Sequence, residues 1–310
     1  MRTPTPLERS VADPRLWLKR EDLDPSGSHK DRAAEHQLAL AAARGERAVT
    51  ISSSGNAAIA TSRAAEAVGI RAIVYVHPAT DPAKLIAIDG ATTTIVVTER
   101  AINGAKLLAR ALHVPNLRAS TNDDAVDGYV PLAGELAAQL EPDVDTVVVF
   151  ATSGATALAL ARELHESRPG VEVHVVQGEG NAAIVEPDAA IDDASAHGAA
   201  AGRLGVRRSR RARDLMRAVE ATGGAGHVVS AADVAAARAQ LRRDDIDVSE
   251  ESAANFAIAR QLANAGRTVC CIISGAPARA SGHQPPRIIA ADEHDALETV
   301  AGMLGFELEG

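Results

Sequence analysis

Aromatic residues are nearly missing from this 310-residue chain: three Phe, two Tyr and one Trp. A core so short of rings has to be closed by Ala, Val, Leu and Ile, which suits helices packed tightly on a sheet. Cysteine is also scarce. Cys270 and Cys271 are neighbours in an apolar run, and neighbours on a strand point to opposite faces, which argues against a disulfide or a metal pair. No apolar stretch approaches a membrane span, and the first residues lack the apolar core of a signal peptide. A reduced, cytoplasmic setting without a membrane partner is therefore expected. Positive charge is in deficit, with a net charge of −9, which sets aside nucleic acid as a general partner. The one basic cluster is Arg207 to Arg213, five arginines in seven residues. It reads as a solvated helix start or as an anion patch, and the acidic whole favours the first. Glu186 to Gly205, rich in Ala, Asp and Gly, reads as a looser stretch. No repeat and no low-complexity linker marks a domain boundary.

What is present is alternation. Short β-branched runs are predicted as strands at Leu16 to Lys19, Ala48 to Ser52, Ala72 to His77, Thr93 to Thr98, Thr146 to Ala151, Val171 to Val176, Val269 to Ser274 and Arg287 to Ala291. Longer Ala/Leu-rich stretches between them read as helices, among them Lys30 to Arg44, Asn56 to Val68, Ala155 to Glu166 and Glu250 to Ala265. Such a pattern predicts an α/β protein whose mostly parallel sheets carry helices on both faces.

Ligands of open α/β sheets bind beyond the carboxyl ends of the strands, so the strand-to-helix junctions hold the candidate residues. The Ser28-His29-Lys30-Asp31-Arg32 segment opens a helix, with Ser28 at the expected N-cap. Lys30 then falls in the first turn, where the helix dipole disfavours a cation and lowers an amine's pKa. A lowered amine suits Schiff-base chemistry; an ordinary solvated lysine is the other reading. Ser52 to Ala57 follows a strand and offers hydroxyls, backbone N–H groups and the Asn56 amide, for a ligand or simply for capping. Ala151 to Thr156 makes a small-residue helix start that can close on a phosphate, without the glycine spacing of a dinucleotide fingerprint or the lysine of a Walker loop. Ser274 ends a very apolar strand, either as a cap or as a neutral hydroxyl for a heteroaromatic nitrogen.

Together these residues resemble the pyridoxal-phosphate enzymes of fold type II, the tryptophan synthase β group, with threonine synthase and threonine dehydratase as the nearest likeness. Thr5-Pro6-Leu7, Leu18 to Leu23 and Pro25 to Arg32 look like the opening signature and its cofactor lysine. Val176 to Gly180 resembles a threonine synthase stretch, and Glu250 to Ala254 resembles the acidic pocket motif. The likeness runs from Thr5 to about Arg279. It implies a two-domain fold, with a small mobile domain at 48–130 and a large cofactor-binding domain made of 1–47 and 131–310, the cofactor between them, and a homodimer. It implies pyridoxal 5'-phosphate on Lys30 as a Schiff base, and Lys30 as the base for the α-proton. Asn56 would meet the ring oxygen and Ser274 the pyridine nitrogen. Thr152, Ser153, Gly154, Ala155 and Thr156 would hold the phosphate, and His29 would touch that phosphate or pack beside it. Ser53, Ser54 and Gly55 would take the substrate carboxylate. No metal is implied.

The sequence departs from threonine synthase at three places. His29 replaces a phenylalanine, as in tryptophan synthase β. Ala57 follows Asn56 where a threonine is usual. The place of a substrate-phosphate arginine falls on Ala125 within the acidic Asn122 to Gly128. Acids there would repel a phosphorylated substrate. The expected function is therefore a lyase on a small amino acid such as threonine or serine, eliminating the β-substituent by way of an aminoacrylate. The alternatives are a threonine synthase, a divergent β-replacement synthase, or a cofactor-binding sensor without catalysis.

Overall fold

The computed structural model describes residues 2–11, 13–88, 90–180, 182–186, 209–277, 287–290 and 292–306. In chain order the first elements are β1 (Leu7–Arg9), β2 (Leu16–Arg20), a 3-10 turn (Glu21–Leu23), α1 (Lys30–Ala43), β3 (Ala48–Ser52) and α2 (Asn56–Val68). Then come β4 (Arg71–Val76), α3 (Pro82–Ala87), β5 (Thr93–Val97), α4 (Ala101–Ala111), α5 (Asp124–Asp127) and α6 (Val130–Gln139). Next are β6 (Thr146–Phe150), α7 (Ala155–Ser167), β7 (Glu172–Gly178), α8 (Ala212–Ala221), β8 (Gly226–Val229) and α9 (Ala231–Arg243). The chain closes with α10 (Glu250–Asn264), β9 (Val269–Ile273), β10 (Arg287–Ala290) and α11 (Glu293–Leu304). Of the looser stretch only Glu186 is described; 187–205 lies outside the described residues, as do Arg207, Arg208 and Ala291.

The chain divides into two compact units, Met1–His29 with Tyr129–Pro277, and Lys30–Gly128 with Ala278–Gly310. In the first unit the sheet order is β1-β2-β9-β6-β7-β8. Only the β1–β2 pair is antiparallel. One face is sealed by α9 and α10, whose Val234, Leu241, Phe256 and Ile258 pack on Leu16, Leu18, Val148 and Ile273. Cys270 and Cys271 are buried free thiols on β9, and burial pushes Cys270 up to about 12.

In the second unit four parallel strands run β10-β5-β4-β3. Ala34, Leu38 and Ala41 of α1 interleave with Ala60, Ala64 and Ala65 of α2 over Val49 and Ala72. Alanine contacts of this kind let helix axes come close, which is how a chain poor in rings fills its core. On the other face α4 and α11 bury Ala105, Leu108, Ala296 and Val300. The sequence pointed to a small domain at 48–130. In the structure α1 groups with that sheet through its alanine face, and β10 extends the sheet by pairing with β5. The chain pattern gave no sign of that pairing, because Arg287 to Ala290 is far from Thr93 to Val97 in sequence.

The Lys19-Arg20-Glu21 run turns out to be scaffold. Lys19 is fully buried, and its ammonium donates to Thr5 O at 2.8 Å, Glu135 Oε2 at 2.8 Å and Gln139 Oε1 at 2.7 Å. Three acceptors match the three protons an ammonium has to give. Glu21, also fully buried, accepts the Thr5 hydroxyl. Arg20 forks onto Asp22 and reaches Glu8. These bonds lock β2 to the chain start and to α6, so the turn that follows has a fixed origin. Replacing Lys19 by Ala removes the ammonium that Thr5 O, Glu135 and Gln139 share. We expect a loss of about 3–5 kcal/mol of unfolding free energy in urea, as for one partner removed from a buried pair.

Candidate active site

In the first unit, β6 delivers Ala151 to a tight turn that opens α7. Gly154 holds φ +80°, and a Cβ there would lie 3.0 Å from Leu215 Cδ2. Glycine thus satisfies both the left-handed backbone and the close approach of α8. No side chain caps α7. The N–H groups of Gly154, Thr156 and Ala157 carry no hydrogen bond among the described residues. The loop is braced from behind by Gln177, whose amide donates to Ala151 O at 3.0 Å and accepts the Ile184 N–H at 2.8 Å. Ser209 Oγ donates to Ser153 O at 3.3 Å. Arg211 is buried next to Gly154. The basic run is therefore not uniformly a solvated helix start. Arg210 and Arg213 are exposed, whereas Arg211 packs behind the loop. Sequence reasoning passed over Gln177, Ser209 and Arg211 as site residues, because none follows a strand at a junction.

The turn before Lys30 is clamped to the end of β9. Ala276 N–H donates to Gly27 O at 2.9 Å, and Ser28 forms an antiparallel bridge with Gly275. His29 N–H and its Nδ1–H both donate to Ser274 O, at 3.0 and 2.7 Å. The His29 ring is buried and stacks at a tilt on Tyr129, 5.4 Å between centroids. Ser28 is therefore not the N-cap that its residue type predicted. The helix begins at Lys30, so His29 takes the flanking position, while Ser28 spends its backbone on a sheet-like bridge and buries an unpartnered hydroxyl. Tertiary pairing outweighed a local cap.

Ser274 is buried and does not cap a turn. Its Oγ lies 3.2 Å from Ser252 Oγ, in the first turn of α10. Ser252 accepts the Gly275 N–H at 3.0 Å and donates to Gly275 O at 2.9 Å. A hydroxyl has one proton, and that of Ser252 is committed to the carbonyl. Ser274 can meet Ser252 only as the donor, and an acceptor on a bound ligand would compete with Ser252 for that same proton. The acidic-motif segment thus contributes a serine that fixes the turn beneath Ser274.

In the second unit, Lys30 is the first residue of α1, and Asn56 the first of α2. No side chain caps α2. The Asn56 amide has no partner among the described residues, and Ser53 Oγ accepts only a long 3.4 Å contact from Gly55 N–H. The loop's polar groups are thus left over for something other than capping. Ala125 is fully buried on α5, and Asp123 and Asp127 are exposed. Asp124 lies 4.0 Å from Arg44. None of these acids lines the cavity in which Ser53 and Ser54 take part; Arg118 does.

A family model described as pyridoxal-phosphate dependent enzyme matches residues 1–275. The chain belongs to that family. It is 32% identical over 173 residues to an L-serine dehydratase/L-threonine deaminase of Mus musculus, covering 52% of this chain and 53% of that protein. It is 29% identical over 188 residues to a putative cysteine synthase of Sinorhizobium fredii, 56% of each. The chain thus spans about half the length of the curated relatives it matches. Among solved structures it superposes on an O-ureido-L-serine synthase with a TM-score of 0.74 at 19% identity, covering 89% of both chains. That likeness carries the fold, two mostly parallel α/β units of fold type II; the family match makes pyridoxal 5'-phosphate the cofactor.

The donor sets suit such a cofactor. Uncapped N–H groups at the start of α7, with Thr152, Ser153 and Thr156 hydroxyls, fit a phosphate ester. A buried neutral hydroxyl fits a pyridine nitrogen. Among the described residues no group of three or more His, Cys, Asp or Glu could hold a metal. No described helix is long and apolar enough to cross a membrane. Ser252→Ala removes both bonds to Gly275, each worth about 0.5–1.5 kcal/mol. We expect the dissociation constant of pyridoxal phosphate, read from its visible absorbance, to rise about tenfold. An unchanged constant would mean that Ser252 does not support Ser274.

Proposed function

We propose that the chain is a pyridoxal-phosphate-dependent lyase acting on a small amino acid of the threonine or serine type. Such an enzyme removes the α-proton and the β-hydroxyl, and after hydrolysis releases ammonia and a 2-oxo acid. Bound cofactor supplies an electron sink at the substrate's α-carbon. The chain's own groups do the rest in this reading. Lys30 would hold the cofactor by its aldehyde and would move the substrate's α-proton. Ser53, Ser54 and the Gly55 backbone bind the substrate carboxylate. Asn56 meets the ring oxygen. Thr152 to Thr156 hold the phosphate, with His29 beside them. Ser274 offers a neutral donor to the ring nitrogen, which leaves the sink moderate and favours elimination over transamination.

The observation that supports this best is the clamp at His29. The residue immediately before Lys30 is bonded twice to the carbonyl of Ser274, which ties the lysine-bearing turn to the proposed nitrogen partner. The likeness to the mouse dehydratase/deaminase favours elimination. A β-replacement synthase is the second reading, favoured by the likeness to the putative cysteine synthase.

Borohydride reduction of the holoenzyme followed by peptide mapping should fix the cofactor on Lys30. Incubation with L-threonine or L-serine should release ammonia and 2-oxo acid. Lys30→Ala should lower that rate by about a thousandfold or more, the scale of losing a nucleophile and base together. Label on another lysine would refute the assignment of Lys30. Label on Lys30 without 2-oxo acid would move the reading to replacement chemistry.

A further inference from the structure

A cavity of about 430 Å³ opens at the carboxyl ends of β3 and β4, walled by Ser52, Ser53, Ser54, Tyr75, Asn103 and Arg118, with His77, Glu99 and Arg100 at its edge. Its charges are not equivalent. His77 Nε2 lies 2.9 Å from Glu99 Oε2. Arg100 lies 3.2 Å from Glu293. The Arg118 guanidinium is half-buried and has neither an ion pair nor a side-chain hydrogen bond among the described residues. Burial with no compensating carboxylate pushes its pKa below the ordinary arginine value. A desolvated cation without a counter-charge is unfavourable unless an anion is to be met there.

The surroundings are built to hold it. Asn116 bridges in parallel to Thr50 of β3, with Thr50 N–H donating to Pro115 O at 2.9 Å and Leu117 N–H to Thr50 O at 2.8 Å. Arg118 therefore leaves a rigid added edge of the sheet, and its own N–H donates to Asn116 Oδ1 at 3.1 Å. In the same lining, Tyr75 is 1% exposed and its hydroxyl is buried without a partner. The Tyr75 ring is pinned by α4, since a Cβ on Gly104 would fall 2.7 Å from its Cε1. A guanidinium fork and a locked phenol donor are the groups that recognise a carboxylate or a phosphate.

We infer that this cavity binds an anionic side-chain group, so that the substrate is a small amino acid ending in a carboxylate or a phosphate, held by Arg118 and Tyr75 while Ser53 and Ser54 take the α-carboxylate. The inference rests on the proposed pyridoxal-phosphate reading and moves its substrate from neutral threonine or serine to an acidic amino acid.

The test is a titration of the holoenzyme's visible absorbance with four amino acids: L-aspartate against L-asparagine, and O-phospho-L-serine against L-serine. Wild type should half-saturate with at least one acidic member at a concentration tenfold or more below its neutral counterpart, the scale of a charge-assisted bidentate pair. The pair that discriminates identifies carboxylate or phosphate. Arg118→Gln should abolish the discrimination and Arg118→Lys should keep part of it, both with the cofactor's own absorbance unaltered. Equal response to acidic and neutral members, no response to either acid, or discrimination that survives Arg118→Gln would overturn the inference. A response to serine without preference would remove the anionic substrate and leave the lyase reading standing, whereas failure to label Lys30 would remove that reading itself.

Discussion

The arrangement depends on one short piece of backbone pairing. Gly27, Ser28 and His29 lie against Ser274, Gly275 and Ala276 as a fragment of antiparallel sheet outside the named strands. A side-chain contact alone could swing with a rotamer. Backbone bonds on both sides of Ser28, reinforced by the His29 imidazole, leave the next residue little choice of origin. The pairing also needs Gly27 at φ +80°, a left-handed backbone that favours glycine. Much of the sequence around it serves this placement. Lys19, Glu21 and Thr5 anchor β2, from which the turn departs. Ser252 and Asn255 hold the other partner, Asn255 by donating to Ile272 O at 2.8 Å.

This changes how the motif residues divide. The segment from Leu18 to Arg32 reads in sequence as one signature, but its charged residues do different work. Lys19 and Glu21 are buried braces, Arg20 is a clip on Asp22 and Glu8, and Lys30 alone carries proposed chemistry. The same holds for Glu250 to Ala254, where the serine, not the acids, meets the Gly275 backbone. Lys19 is tolerated in such a core because each proton of its ammonium has an acceptor.

The alternation of β-branched and alanine-rich runs made the α/β class and most element positions readable. β3 and α2 fall where their sequences place them. Short or weakly patterned pieces were not readable: β1, β8 and α5 have three or four residues and gain their stability from neighbours. The grouping of α1 and β10 with β3, β4 and β5 could not be seen either, because it is set by packing between distant segments. Within the candidate site, the junction residues were visible from chain position. Their supports were not. Gln177, Ser209 and Arg211 act on the loop from elements whose approach the sequence leaves open. Arg118 was overlooked beside the acidic residues that follow it, since only the structure tells which of them faces the cavity.

The pairing of Gly27 to His29 with Ser274 to Ala276 is the claim on which the account stands, and residue-resolved amide hydrogen exchange tests it most directly. His29 and Ala276 donate within this pairing, so their amides should exchange as slowly as those of Cys271 and Ile272 within β9, by local opening at close to the global free energy. Exchange of His29 and Ala276 at the rate of an open loop, such as the exposed Val11, would contradict it.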